Sequence, residues 1–426
     1  MMPASPPLRT LGLAFLTAIV AGPAAAQTAS VPTLLRDIQH LASDRLQGRG
    51  LGSVGADSAA DYIAMRFKEL GLRQAPSLGG WFQTFTVSPD APAIRGTNLG
   101  GVSGRNVVGI LPGADPRQAG QFVVLGAHYD HLGLGGRGSL DPDSAGVPHN
   151  GADDNASGVV ALLEAARRLS LARPGRSVLF LAFGGEEHGL LGSAAYVKAP
   201  AVPNDSLVAM LNFDMVGRLR ENRLVVYGVE TAKEWRPLLD SLNATAGFAM
   251  SAQGDGYGPS DHTSFTVAKR PVLHFFTGTH EDYHRTTDDW EKINLDGVAK
   301  VAELAVNITR AVGQGSATLT FVDLPPPAPA AGRGSGYGAY LGTIPDMTDN
   351  PGGVRLSGAR GGSPAEKAGL KAGDILVKLG SHDVADLQGM TNALRAYQPG
   401  DEVDVVVIRD GQRQTFKVTL GRRGGS

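Results

Sequence analysis

The sequence predicts an α/β protein, a three-layer sandwich around a mostly parallel sheet, followed by a small α+β module. Three observations carry that reading. Four short apolar runs, Phe122 to Ala127, Val178 to Phe183, Val208 to Phe213 and Pro271 to Phe276, are each bounded by turn or polar residues, as strands buried on both faces are. Between the first two, the stretch Ala156 to Leu169 places Val159, Leu162, Leu163, Ala166 and Leu169 on one side of a helix. Near Gly313 the texture changes, and Leu324 to Gly338 is proline-rich and then glycine-rich, which reads as a linker ahead of a separately folded remainder.

In chain order, residues 1–26 have the form of a signal peptide. Arg9 precedes the apolar stretch Leu11 to Ala21, and Ala24-Ala25-Ala26 supplies a cleavage site before Gln27. The expectation is export, to the periplasm or outside the cell, and no other run approaches the length of a membrane span. The first folded unit is expected over 27–312. Leu34, Leu35, Ile38 and Leu41 form one helical stripe, and Ala59, Ile63, Phe67 and Leu70 form another that stops at Gly71. Trp81 to Val87 reads as a strand, and the Gly- and Pro-rich region up to Arg105 as loop and edge structure. After the linker, 313–338, the module at 339–426 alternates strands and helices on a smaller scale. Asp410-Gly411 between two β-branched runs marks a hairpin.

Composition excludes more than it identifies. A net charge of -2 offers no broad basic field for nucleic acid. The chain has no cysteine, so neither disulfides nor a lipid-anchored cysteine enters the reading.

In an open α/β sheet the functional crevice lies beyond the carboxyl ends of the strands. The residues there are of metal-ligand type: His128-Tyr129-Asp130-His131, Gly184-Gly185-Glu186-Glu187-His188, Asp214-Met215, and His280-Glu281-Asp282-Tyr283-His284. Gly151-Ala152-Asp153-Asp154-Asn155 brings carboxylates to the start of the helix beside the same edge. Carboxylates and imidazoles without thiolates suit Zn2+, Mn2+ or Co2+, and a metal pair about 3.5 to 4 Å apart needs a bridging carboxylate.

These motifs, with Asn212-Phe213-Asp214-Met215, Ser260-Asp261-His262 and Asp288, resemble the co-catalytic two-zinc aminopeptidases, which include secreted bacterial leucine aminopeptidases. More distant likenesses are glutamate carboxypeptidase and the glutaminyl cyclases. The resemblance covers Leu35 to Ala311 and implies a zinc exopeptidase-like sandwich acting on peptide substrates. It implies that His128 and Asp214 bind one zinc, Glu187 and His284 the other, and that Asp154 bridges both. By the same resemblance Asp130 accepts the other ring N–H of His128, Asp288 plays a similar part near His284, and Asp153 is no ligand. Glu186 stands beside a ligand without being one, which suits a general base for a metal-activated water. Tyr283 matches a position that in some members donates to the tetrahedral oxyanion. His131, His149, His188, His274, His280 and His382 have no required place in this set, and Asp261 and His262 are expected to shape the pocket.

Ala339 to Arg422 resembles a PDZ domain of the kind attached to periplasmic serine proteases. The matching residues include Tyr340-Leu341-Gly342, Ser363-Pro364-Ala365-Glu366, Gly373-Asp374-Ile375-Leu376 and Arg409-Asp410-Gly411. Such modules add an extended peptide as a strand and capture its terminal carboxylate. Tyr340, Leu341 and Gly342 would form the capturing loop, with a helix from Asp386 to Tyr397 as the facing wall, and peptide or protein C-termini as partners. Thr343 departs from the apolar residue usual after the loop glycine. Three alternatives to the aminopeptidase stay open: a carboxypeptidase, a glutaminyl cyclase-like enzyme, and a non-enzymatic protein working through its PDZ module.

Overall fold

Strict alternation along the central strands buries both faces of the sheet. In β4 (Ser177–Phe183), Val178, Phe180 and Ala182 face one hydrophobic core while Leu179, Leu181 and Phe183 face another. β3 (Phe122–His128) does the same with Val123 and Leu125 against Val124. A period of two with apolar residues on both sides demands a helical layer on each side. The computed structural model describes residues 31–421 except 92–93, 95–96, 137, 315–318, 326–338, 346–351, 386–388, 391–392 and 395. The expected signal peptide and most of the expected linker therefore lie outside the described residues.

The first unit has an eight-stranded sheet. Besides β3 and β4 it contains β1 (Phe82–Thr86), β2 (Ser103–Leu111), β5 (Leu207–Phe213), β6 (Arg223–Tyr227), β7 (Ala249–Gln253) and β8 (Val272–Phe276), in the order β1-β2-β4-β3-β5-β8-β6-β7. The central strands β4, β3, β5 and β8 run parallel. β2 joins β4 and β6 joins β8 antiparallel, so the sheet is mixed, with a parallel centre between antiparallel joins. The four apolar runs of the sequence are those four central strands. β2, β6 and β7 were not legible. β2 opens on the polar Ser-Gly-Arg-Asn, and its buried Asn106 is satisfied by Gln83 Oε1 at 2.9 Å and the Gly192 carbonyl at 2.8 Å. β7 is a half-exposed edge strand with little apolar signal.

The larger core lies under α1 (Val31–Leu41), α2 (Val54–Glu69), α3 (Gly158–Leu171), α5 (Trp235–Ala246) and α7 (Leu295–Gly313). The opposite face is covered around α4 (Leu191–Lys198) and α6 (His262–Val267), where Tyr196 and Phe265 pack with Phe183. Gly158 lets α3 approach β5: a Cβ there would lie 2.6 Å from the Phe213 carbonyl oxygen. Past α7, residues 319–323 still belong to this unit, because Phe321 bridges to Ala232 and the Val322 amide donates to Thr231. Residues 319–323, inside the segment expected to be linker, are thus packed on the first unit. Among the described residues no helix is long and apolar enough to cross a membrane.

The second unit has its own core around Leu341, Leu356, Leu376, Val405 and Val418. Its antiparallel strands are β9 (Thr343–Pro345), β10 (Val354–Ala359), β11 (Ile375–Leu379), β12 (His382–Asp383), β13 (Glu402–Arg409) and β14 (Gln412–Thr419). Asp410 and Gly411 close the last hairpin at positive φ, as a two-residue primed turn requires. Ser363 caps the short α8 (Pro364–Lys367) by accepting from the Glu366 amide, with Pro364 in its first turn. Of the expected helix Asp386 to Tyr397, residues 389–390 and 393–394 are helical, and 386–388, 391–392 and 395 lie outside the described residues.

Candidate metal centre

Parallel strands ending at one edge deliver their next residues to one place. His128 is the last residue of β3, Glu186 and Glu187 follow β4, Asp214 follows β5, and His284 lies in the loop after β8. Asp154 comes from the turn ahead of α3, outside helical geometry at φ -106° and ψ 91°. His128 Nε2 lies 3.3 Å from Asp154 Oδ1 and 3.4 Å from Asp214 Oδ1. His284 Nε2 lies 3.1 Å from Asp154 Oδ2 and 3.2 Å from Glu187 Oε2. All five residues proposed from the sequence as ligands meet, with Asp154 in the middle. Glu186 Oε2 stands 3.9 Å from His128 Nε2, at the rim of the cluster.

The donor set fits divalent cations. Four carboxylates packed around buried imidazoles create a field that only positive charge relieves. Burial alone would lower the pKa of His284, but Glu187 and Asp154 reverse this and raise it to about 10. His128 is likewise raised, against burial, by Asp214 and Glu186. Two triads, His128, Glu186, Asp214 and His131, Asp154, Glu187, each offer ligand atoms within 4.8 Å of one another. Glu186 is affected differently: burial, reinforced by Glu187, Asp214 and Asp261, pushes its carboxyl well above the usual range although His128 opposes this.

Two supporting contacts differ from the sequence reading. His128 Nδ1 pairs with the backbone carbonyl of Asp130 at 3.1 Å, whereas the carboxylate stands 3.8 Å away and accepts the Glu186 amide at 3.1 Å instead. Asp130 therefore braces the glutamate turn with its side chain and the histidine with its backbone. Asp288 does not reach the ring nitrogen of His284, which pairs with the Gly138 carbonyl at 2.9 Å. Its carboxylate accepts the amides of Asp153 and Asp154 at 2.8 and 3.1 Å and the Arg218 guanidinium at 2.9 Å. Tyr283 stacks on His284 with ring centroids 3.9 Å apart. Asp153 pairs with His280 Nε2 at 3.0 Å and faces away from the cluster of ligands.

Residues 106–309 match the Peptidase family M28, and residues 339–420 match the PDZ domain. The chain carries an M28 peptidase domain followed by a PDZ domain. Over 215 residues it is 28% identical to a protein of Arthroderma otae named "Probable leucine aminopeptidase", covering 47% of this chain and 55% of that one. Over 211 residues it is 29% identical to aminopeptidase YwaD of Bacillus subtilis, covering 47% of this chain and 43% of that one. The chain thus spans about half the length of these curated relatives. Among solved structures, BSAP, a zinc aminopeptidase from Bacillus subtilis, superposes with a TM-score of 0.54 at 18% identity, covering 70% of this chain and all of that one. That likeness establishes the fold.

Three residues of the first unit are tied to the cluster or its supporting turns, although the sequence reading gave them no part there. His131 Nδ1 lies 2.7 Å from Glu187 Oε1, and its ring meets His284 edge to face. Its place three residues after His128, in the same strand-end motif, was the available signal. Arg49 is fully buried and donates to the carbonyls of Leu41, Tyr129 at 2.6 Å, Asn150 at 2.7 Å and Gly151 at 3.0 Å. Arg218 joins Asp288 to Asp282, at 3.2 Å from the latter. Arg49 lies outside every motif quoted above, and Arg218 lies three residues beyond Asn212-Phe213-Asp214-Met215, where nothing in the motif singles it out.

A cavity of about 330 Å³ opens on the metal centre and continues to the PDZ domain. On the M28 side it is bordered by the cluster and by Met215, Tyr227, Phe276 and Tyr283, which pack together. On the PDZ side its walls include Tyr340, Leu341, Gly342 and Thr343, with Met390 and Arg360.

Proposed function

We propose that this protein is an exported, zinc-dependent aminopeptidase, working in the periplasm or outside the cell, whose PDZ domain binds peptide C-termini. The observation that carries the reading is the position of Asp154, with one oxygen toward His128 and the other toward His284, flanked by Asp214 and Glu187. His128 and Asp214 would hold one zinc, His284 and Glu187 the second, and Asp154 both. Zinc held there supplies Lewis-acid activation of a water and of the scissile carbonyl. Glu186, at the rim and with its carboxyl pushed up, takes the proton of the attacking water and returns it to the departing amine. Tyr283, which stacks on His284 and lines the cavity, would donate to the oxyanion.

Charge gives the polarity of the substrate. The metal end of the cavity is carboxylate-rich and the PDZ end contributes Arg360, so a peptide enters with its ammonium end toward the metals. That sets the first peptide bond, not the last, at the reacting position. The patch of Met215, Phe276, Tyr227 and Tyr283 receives an apolar first side chain.

The decisive measurement is hydrolysis of free-amine, N-acetylated and carboxyl-blocked peptides, with zinc content followed in parallel. Cleavage confined to free amines and scaling with zinc supports the reading. Cleavage of N-acetylated peptides from their carboxyl end would make the protein a carboxypeptidase instead.

A further inference from the structure

The PDZ loop faces the same cavity as the metal centre, and it presents unpaired donors there. The carbonyls of Leu341 and Gly342 are taken, accepting the amides of Ala365 at 2.8 Å and Arg360 at 2.9 Å. Their own amides donate no backbone hydrogen bond to a described residue, although both residues are buried. Gly342 turns the loop at φ 80°, and a Cβ on it would lie 2.3 Å from Ser363 Cβ, so the turn requires glycine. Thr343, 9% exposed, departs from the apolar pattern and carries a buried hydroxyl that makes no hydrogen bond among the described residues. It too lines the cavity. Buried amides and a hydroxyl left without acceptors are costly, and an anion arriving at them removes the cost. Arg360 is the one lysine or arginine among the described lining residues and supplies the matching charge.

We infer that the metal centre and the PDZ loop are the two ends of one substrate chamber, so that the enzyme selects short peptides with a free C-terminal carboxylate. The first peptide bond sits at the cluster around Asp154. The carboxylate of the same peptide rests on the Leu341 and Gly342 amides, Thr343 Oγ1 and the Arg360 guanidinium. A cavity of about 330 Å³ lies near the small end of ordinary ligand pockets, which run from about 300 to 1,000 Å³. Since each extended residue adds about 3.3 to 3.6 Å, a chain longer than the chamber cannot engage both ends. The PDZ domain thereby acts as a ruler measured from the metals. The inference rests on the aminopeptidase reading and adds to it the length and the far terminus of the substrate.

The test uses the full-length, zinc-loaded protein and a series of peptides with leucine first and alanines after it, each as free acid and as C-terminal amide. Leucine p-nitroanilide serves as the substrate without a carboxylate. Calorimetric binding of the same peptides with a reduced, uncleavable first bond gives a readout independent of turnover. The expected result is that short free acids bind and react at least about tenfold better than their amides. This ratio falls toward one as peptides lengthen, and Thr343→Val and Arg360→Gln each lower it for short peptides. Equal binding and cleavage of acids and amides, or an undiminished ratio in long peptides, would overturn the inference while hydrolysis of leucine p-nitroanilide left the aminopeptidase reading in place. No hydrolysis of the anilide would overturn that reading, and the inference with it. The wild-type ratios decide the matter even if a variant fails to fold.

Discussion

The carboxylate of Asp288 accepts the backbone amide of Asp154 at 3.1 Å and so holds the non-helical turn that presents the Asp154 side chain. It also accepts the neighbouring Asp153 amide, while Arg218 balances its charge. Asp288→Ala should therefore loosen zinc without removing a ligand, weakening affinity by about 10- to 100-fold, the range typical of groups that orient ligands. Competition with a zinc chelator measures this, and unchanged affinity would show that the turn holds its shape unaided.

Asp154→Asn should weaken both metals, because one carboxylate serves both halves of the cluster, whereas Asp214→Asn should chiefly weaken one. Metal content per chain after dialysis against graded zinc separates the two patterns. Identical single-metal losses in both variants would mean that the bridge is elsewhere.

Glu186→Gln should keep its metals and lower kcat by about two to four powers of ten, the usual contribution of general acid–base catalysis. The side chain stands at the rim and its amide is held by Asp130, so the turn should survive the change. Loss of a metal would identify Glu186 as a ligand.

In the PDZ domain, buried Asp374 receives Arg409 through Nε at 2.6 Å and Nη2 at 2.7 Å. Burial alone would raise its pKa, but Arg409 and the Lys371 amide hold it below the usual carboxyl range. A depressed folded-state pKa means that the pair's stabilisation is complete above about pH 4 and is lost as pH falls through the folded value. Asp374→Asn should lower the domain's stability at neutral pH by about 2 kcal/mol and flatten its dependence on pH in the acid range. Thermal unfolding followed across that range tests the sign: a variant that loses stability on acidification as steeply as the wild type would assign the effect to another group.

What the sequence disclosed and what it hid follow from how each part is encoded. The central strands were legible because burial on both faces leaves unbroken apolar runs, and the candidate ligands His128, Glu187 and Asp214 because they end or closely follow such runs, whereas Asp154 and His284 were legible only through their motifs. β2 was not, since its early polar residues are paid for by specific partners, as Asn106 is by Gln83 and Gly192. The supporting contacts depend on backbone carbonyls and amides, as between His128 and Asp130 or Asp288 and Asp154, and residue type alone does not say which atom will be used. The relation between the two domains was invisible: a linker rich in Pro and Gly suggested a separately folded module and said nothing of its placement, while the structure brings Thr343 to the wall of the cavity that the candidate ligands border.

Arg49 lies well upstream of residue 106, where the match to the peptidase family begins, yet its guanidinium ties α1 to the segments carrying Tyr129 and Gly151. The recognisable catalytic region is thus not a self-sufficient one. A fragment cut at the family boundary would keep every candidate ligand and lose the clasp that sets the β3 end and the Asp154 turn against each other, leaving the carbonyls of Tyr129, Asn150 and Gly151 without that donor. The support of the candidate metal centre thus reaches back to the first helix, and residues 31–49 belong to the architecture of the site.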